Sequence, residues 1–287
     1  MKKILVFGAT GQIAKALRAQ LGGGAIFLSR NEADFMRPSD CVAAVNDLQP
    51  QIIINAVAYT QVDKCEIELE QAMQINAHTP QAIANAAKNI GAKLVHYSTD
   101  YVFDGAGEVA FIEDDAANPL NNYGKSKRLG EELIIGSGVD YLIFRTSWVY
   151  DNCSNNFLTT MLRLGAQREE LKVVANQYGA PSYAPHLAVA TLQALENAKS
   201  ITKSINGIYH MCGAGETSWH GFAEAIFAQA RQHGLPLKLT KCLPIPASEY
   251  PTPAKRPHNS RLNCSKLADI LGVELPDWRV GLAEAMA

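Results

Sequence analysis

Short, continuous apolar runs recur along the first half of the chain, and each is followed by a stretch with helical spacing. Lys3-Ile4-Leu5-Val6-Phe7 is the first run, closed by Gly8 and Gly11, and residues 12–21 then carry a helical pattern. Ala25-Ile26-Phe27-Leu28 predicts a second strand, residues 39–48 a helix, and Gln51-Ile52-Ile53-Ile54-Asn55-Ala56 a third strand. A long helix is expected over 67–90, with Gly91 as its stop. Lys93-Leu94-Val95-His96-Tyr97-Ser98 predicts a fourth strand, a helix follows from about Tyr123 to Ile135, and Tyr141-Leu142-Ile143-Phe144-Arg145 predicts a fifth strand. Runs that are apolar at every position, not at alternate ones, mark strands covered on both faces. Strand–helix alternation of this kind predicts an α/β fold with a doubly wound parallel sheet.

After Trp148 the pattern loosens. Helices are expected at 156–168, 185–197 and 218–233, and residues 242–263 are rich in Pro, Ser and Asn. The chain therefore divides into residues 1–150, carrying the sheet, and residues 151–287, a smaller substrate-binding lobe. No flexible linker separates them, so the lobe is expected to interleave with the sheet. No internal repeat or low-complexity segment is visible.

Composition narrows the function classes. A chain of 287 residues that is 47% hydrophobic and 19% charged is an ordinary globular protein with room for a large core. A formal net charge of -2 lacks the basic excess that phosphate-backbone binding wants, so a nucleic-acid partner is not expected. No apolar run reaches the roughly 18 residues of a membrane helix. Met1, Lys2 and Lys3 precede a short apolar run that breaks at Gly8, well short of a signal-peptide core. The cysteines at 41, 65, 153, 212, 242 and 264 form no CxxC pair, which fits reduced thiols in a cytoplasm. The seven histidines show no metal-ligand spacing, and Trp219-His220 reads as packing at a helix start, so no metal site is expected.

Candidate chemistry begins at Gly8-Ala9-Thr10-Gly11-Gln12-Ile13-Ala14, between the first strand and the first helix. That context makes the sheet one of Rossmann type. Gly8 permits a tight turn, Gly11 lets a pyrophosphate approach the backbone, and Ala14 is small enough for close helix–strand packing. Free N–H groups at the helix start then face the phosphates. The second strand ends Leu28-Ser29-Arg30, near where an adenosine ribose would lie. Ser29 carries no charge to repel a 2′-phosphate and Arg30 can pair with one, so NADPH is expected. Glu32 and Asp34 keep NADH open, since an acid there bonds a ribose 2′-hydroxyl.

Tyr123 and Lys127 stand four apart, on one face of the expected helix. A phenol has a pKa near 10. A neighbouring ammonium is expected to lower it towards a useful acid/base range. Asn118-Pro119-Leu120-Asn121-Asn122 supplies turn and capping residues just before them. Upstream, Thr99 leaves the carboxyl end of the fourth strand, where ligands bind in open α/β sheets, and offers a hydroxyl to a substrate carbonyl.

The order Gly8-x-x-Gly11-x-x-Ala14, Ser98-Thr99-Asp100-Tyr101-Val102-Phe103 and Tyr123-x-x-x-Lys127 resembles the extended short-chain dehydrogenases/reductases. More narrowly, the chain is similar to the dTDP-4-dehydrorhamnose reductase family. The segments Asn55 to Asp63, His96 to Asp104, Pro119 to Lys127 and Phe144 to Tyr150 carry that likeness. Asn155-Asn156-Phe157, Asn176 to Pro181 and Arg256 to Leu262 are specific to the narrower family, and the likeness runs nearly the whole length.

The resemblance implies hydride transfer from NAD(P)H to C4 of dTDP-4-dehydro-L-rhamnose, giving dTDP-L-rhamnose. It implies Tyr123 as proton donor, Lys127 on the nicotinamide ribose, and Thr99 orienting the carbonyl. It implies Gly11, Gln12 and Ile13 at the pyrophosphate, Asp34 and Phe35 beside the adenine, and Ala58, Tyr59 and Thr60 along the cofactor channel. Trp148 and Asn156 would contact the substrate. Asp100 and Tyr101 suit sugar hydroxyls, and Arg256 and Arg261 suit a substrate diphosphate. Lys15 stands where an acid would be wanted for the magnesium-bridged dimer of some members, so a monomer or homodimer is left open. Two alternatives stay open at this point. One is a non-catalytic NADP-binding regulatory subunit like the beta subunit of methionine adenosyltransferase. The other is a reductase of another nucleotide-linked 4-keto sugar.

Overall fold

A computed structural model describes residues 3–202 and 204–287. Met1 and Lys2, the start of the segment weighed above as a leader, lie outside the described residues. The chain runs β1 (Ile4–Phe7), α1 (Gln12–Leu21), β2 (Ala25–Leu28), α2 (Pro38–Leu48), β3 (Ile52–Asn55), α3 (Leu69–Met73), α4 (Thr79–Asn89), β4 (Lys93–Thr99), α5 (Asn122–Ser137) and β5 (Asp140–Thr146). It continues β6 (Val149–Tyr150), α6 (Phe157–Gln167), β7 (Glu170–Val174), β8 (Tyr178–Gly179), β9 (Ser182–Tyr183), α7 (Ala184–Asn197), β10 (Gly207–His210), β11 (Thr217–Ser218), α8 (Trp219–Gln232), β12 (Lys241–Ile245), α9 (Ser265–Leu271) and α10 (Trp278–Met286).

Six strands form one sheet in the order β10-β5-β4-β3-β1-β2, and every pairing in it is parallel. Successive side chains of each strand go to opposite faces. Val6, Ile54, Val95, Leu142 and Phe144 therefore pack with α1, α7 and α9 on one side. Leu5, Phe7, Ile53, Leu94 and Ile143 pack with α2, α4 and α5 on the other. Both faces are dry, which is why these strands read as unbroken apolar runs. The expected Rossmann-type doubly wound sheet is the observed one.

The chain leaves β1 towards β2 on one side and returns to β3 on the other. That reversal opens a crevice beyond the carboxyl ends of β1 and β3, where open α/β sheets take ligands. A second core gathers Tyr150, Leu158, Met161, Phe222, Phe227 and Trp278 from β6, α6, α8 and α10. α7 and β10 come from beyond residue 150 yet pack in the main sheet layer. Chain order and spatial layering therefore part company in the second half.

One expectation needs correction. The helix expected over 67–90 is two α-helices joined by one wide π turn at Gln74–His78. Pro80 has no N–H to donate to the Asn76 carbonyl, so a regular α-helix cannot run through. The Pro- and Ser-rich stretch 242–263 holds most of β12, which pairs in parallel with β7. Among the described residues no helix is long and apolar enough to cross a membrane.

Candidate active site

Gly8 adopts φ +94, and a Cβ there would lie 2.9 Å from Val57 Cγ2 and 3.0 Å from the Ala56 carbonyl oxygen. Only glycine fits both the left-handed backbone and the approach of the β3 loop. Gly8 N–H and Ala9 N–H both donate to the Leu28 carbonyl, tying the turn to the end of β2. No side chain caps α1 behind Gly11, so its first amides stay free to meet an anion.

A cleft opens over this turn. Its outer half, about 520 Å³, is lined by Gly8, Gly11, Ser29, Arg30, Asp34, Phe35, Ala58 and Tyr59 among others. Its inner half, about 310 Å³, is lined by Gly11, Gln12, Ile13, Ala58, Thr60, Tyr123 and Lys127, with Tyr97, Ser98 and Thr146. The two halves share Thr10, Gly11, Ala56, Val57 and Ala58. Every residue expected at the cofactor thus borders one continuous trough. At the outer end Ser29 donates through both its N–H and its hydroxyl to Glu32, at 2.8 Å each, and these bonds hold the Glu32 carboxyl below its usual range. Arg30 is largely exposed and lies 3.5 Å from Asp34.

The inner end is dry and polar. α5 starts at Asn121, whose side chain accepts from Gly124 N–H at 2.8 Å and donates to the Lys255 carbonyl. A Cβ on Gly124 would sit 2.1 Å from the Tyr101 carbonyl oxygen, so glycine here lets α5 lie flush on the turn after β4. Tyr123 is buried, and its ring meets Tyr101 edge to face at 5.6 Å. Burial raises its pKa, and a hydrogen bond with Thr99 offsets part of that rise. Thr99 donates to Asp100 Oδ1 at 3.0 Å and accepts from Tyr101 N–H. Burial lifts the Asp100 carboxyl to about 6, against hydrogen bonds from Ser260 and Thr99.

Lys127 is 1% exposed. Its Nζ donates to the Tyr97 carbonyl at 2.6 Å and lies 3.0 Å from His96 Nε2. Burial brings its pKa down to about 7, although Glu131 acts the other way. This corrects the expectation that a lysine ammonium lowers the tyrosine pKa. Lys127 is aimed at β4, and burial pushes the two groups' pKa values in opposite directions.

None of the residues expected at the substrate lines the trough itself. Trp148, with φ +48, stacks on Trp219 at 3.6 Å, so one indole face is already covered. Asn156 caps α6 and donates to Gln12 Oε1 at 3.0 Å, which anchors the second lobe to the phosphate loop. Arg256 pairs with Asp63 at 2.9 Å and borders a separate cavity with Tyr250 and Lys255. Arg261 pairs with Glu216 and lies over the Tyr178 ring. Asp100 is buried against Thr99 and Ser260, which places its carboxyl behind the reactive wall.

Several site residues carried no usable signal in the sequence. Ser98 Oγ and Thr146 Oγ1 are buried, unpartnered, and border the inner half. Asn76, in the π turn, accepts from Tyr59 N–H at 2.8 Å and donates to Ser126 Oγ at 2.9 Å, joining the β3 loop to α5. The glycine cradle, the free α1 amides and the two orphaned hydroxyls fit a dinucleotide with a polar ring at its inner end. Among the described residues no cluster of His, Cys, Asp or Glu suits a metal ion.

The family model described as the RmlD substrate binding domain matches residues 1–287. A dTDP-4-dehydrorhamnose reductase of Burkholderia thailandensis is 46% identical over 98% of this chain and 97% of its own. That of Escherichia coli K12 is 45% identical over 97% and 95%. A crystal structure of dTDP-4-dehydrorhamnose reductase from Bacillus anthracis in complex with NADP superposes with a TM-score of 0.91 at 35% identity. That superposition covers 99% of this chain and 98% of that one.

Proposed function

The chain belongs to the dTDP-4-dehydrorhamnose reductase family, and on that premise we propose that it reduces the C4 carbonyl of dTDP-4-dehydro-L-rhamnose to give dTDP-L-rhamnose. The observation that carries this reading is the convergence of Tyr123 and Lys127 at the inner end of the trough that begins at Gly8, with Thr99 against the phenol. NADPH, when bound, supplies the hydride. Tyr123 gives its hydroxyl proton to the carbonyl oxygen as negative charge develops there. Its burial keeps the proton in place until that moment. The Thr99 hydroxyl, once turned from Asp100, offers a second donor to the developing alkoxide. Gln12 and Ile13 open α1, where their amides meet the pyrophosphate. Arg256 and Arg261 take the substrate diphosphate by exchanging Asp63 and Glu216 for it. Trp148 and Trp219 form the wall towards the sugar.

The test is a spectrophotometric assay with dTDP-4-dehydro-L-rhamnose. Oxidation of NADPH is expected, and no oxidation of either NADPH or NADH would overturn the reading. Cofactor choice has its own test. Arg30→Ala is expected to weaken NADPH binding roughly fivefold to tenfold, the value of one exposed charge-assisted contact. NADH affinity, measured by the same fluorescence titration, is expected to stay put. Equal weakening of both would remove Arg30 as the 2′-phosphate partner and leave Glu32 as the ribose-reading group.

A further inference from the structure

Behind Lys127 lies a chain of two buried polar side chains, His96 and Asn55, that the reaction scheme above does not use. Val57 N–H donates to Asn55 Oδ1 at 3.0 Å. A backbone amide is a donor only, so the Asn55 oxygen must face it, and Asn55 Nδ2 faces His96 Nδ1 at 3.0 Å. His96 Nδ1 therefore accepts. His96 has no exposed surface, and burial, then Lys127, keeps the imidazole neutral. Its single proton must sit on Nε2, which points at Lys127 Nζ from 3.0 Å.

An N–H aimed at a nitrogen needs a lone pair there. A lysine amine has one and an ammonium has none. If Lys127 is the ammonium, His96 must move its proton to Nδ1, where it meets the Asn55 NH2. Turning the Asn55 amide over instead sets its NH2 against Val57 N–H. Either arrangement leaves a buried donor facing a donor.

Resting on the reading of Tyr123 and Lys127 given above, we infer that Asn55 and His96 are positioning residues that hold the Nε2–H tautomer and thereby favour the neutral amine of Lys127, making its ammonium a proton source for Tyr123. The proton count closes. The carbonyl carbon gains the hydride and its oxygen gains the Tyr123 proton, leaving a phenolate. The Lys127 ammonium borders the same inner half of the trough and returns a proton to that phenolate through solvent there, giving phenol and amine, and the freed lone pair accepts His96 Nε2–H. Solvent restores the ammonium before the next turnover. Glu131 is the one further charged group acting on Lys127 among the described residues. It favours the ammonium, but its carboxylate is already bonded to Arg145 and Arg128.

Reduction then needs the ammonium, so its rate falls as pH rises through the Lys127 pKa, near 7. Asn55→Asp reverses the device. One carboxylate oxygen keeps Val57 N–H, and the other accepts only from Nδ1–H. Nε2 is left bare for the ammonium. The basic limb of kcat is expected to move up by at least about one pH unit.

The direct reading is 15N NMR of His96 at pH 8, without cofactor or substrate. The protein is expected to show bare Nδ1 and protonated Nε2, with both shifts following a titration near pH 7. The Asn55→Asp variant should show the reverse tautomer. Protonated Nδ1 in the unaltered protein overturns the inference, as does a folded Asn55→Asp variant with an unmoved tautomer or an unmoved limb. If that variant does not fold, the tautomer of the unaltered protein decides alone. Failure of the sugar assay would sink the proposed reaction and leave the ring-nitrogen measurement standing.

Discussion

Tyr123→Phe is expected to lower kcat by roughly 10²–10⁴-fold, the usual value of a positioned proton donor. NADPH affinity should remain within about twofold, because the change removes an interaction made in the transition state and not in the ground state. The substitution deletes one oxygen. The ring keeps its edge-to-face contact with Tyr101, and α5 keeps its Asn121 cap. What is lost is the proton held at the inner wall, together with the partner of the Thr99 hydroxyl. Steady-state kinetics with dTDP-4-dehydro-L-rhamnose and a fluorescence titration with NADPH separate the two effects. Turnover at the unaltered rate would show that another group supplies the proton. Weak cofactor binding with equal loss of turnover would instead mean that the phenol holds the trough in shape.

The parts of this site that could be read along the chain are those set by local chemistry. A strand, a glycine turn and a helix start follow one another within residues 4–21, so the phosphate cradle needs no tertiary information. Tyr123 and Lys127 are one turn apart on one helix, and their shared face follows from helical geometry alone. The charge relation between them did not follow, because it depends on burial. Periodicity places Lys127 on a face, whereas only packing shows that it is dry and aimed at Tyr97 and His96. His96 reads as one residue of an apolar strand, and its partner Asn55 ends a different one. They meet because β3 and β4 pair in register, Asn55 opposite His96. The four-residue β10 went unread because Gly207 and His210 at its ends leave only Ile208 and Tyr209 as an apolar pair. Arg256 and Arg261 were visible as charges in a polar loop, but their carboxylate partners, Asp63 and Glu216, lie far away in sequence.

The same helix that carries Tyr123 depends on a charge pair for its seat. Arg145 from β5 is 1% exposed, and it donates through Nε and Nη2 to the fully buried Glu131 of α5, at 2.8 and 2.7 Å. The guanidinium also lies 4.9 Å from the Phe103 ring, and its Nη1 has no partner. Removing one member of such a pair leaves the other buried and uncompensated, which costs about 3–5 kcal/mol. Glu131→Gln keeps the shape of the side chain and deletes the charge. Its expected loss is in that range by urea unfolding, with a drop in Tm on the order of 10 °C. The variant also has a kinetic consequence of definite sign. Glu131 favours the Lys127 ammonium, so its loss moves the basic limb of reduction to lower pH, opposite to the shift expected of Asn55→Asp. Replacing Glu131 and Arg145 together with apolar residues of similar volume is expected to recover much of the stability, because no buried charge is then left alone. It would not return the limb to its original place. A single Glu131→Gln loss below about 1 kcal/mol would mean that water reaches this pair, since only a solvated charge is so cheap to strand.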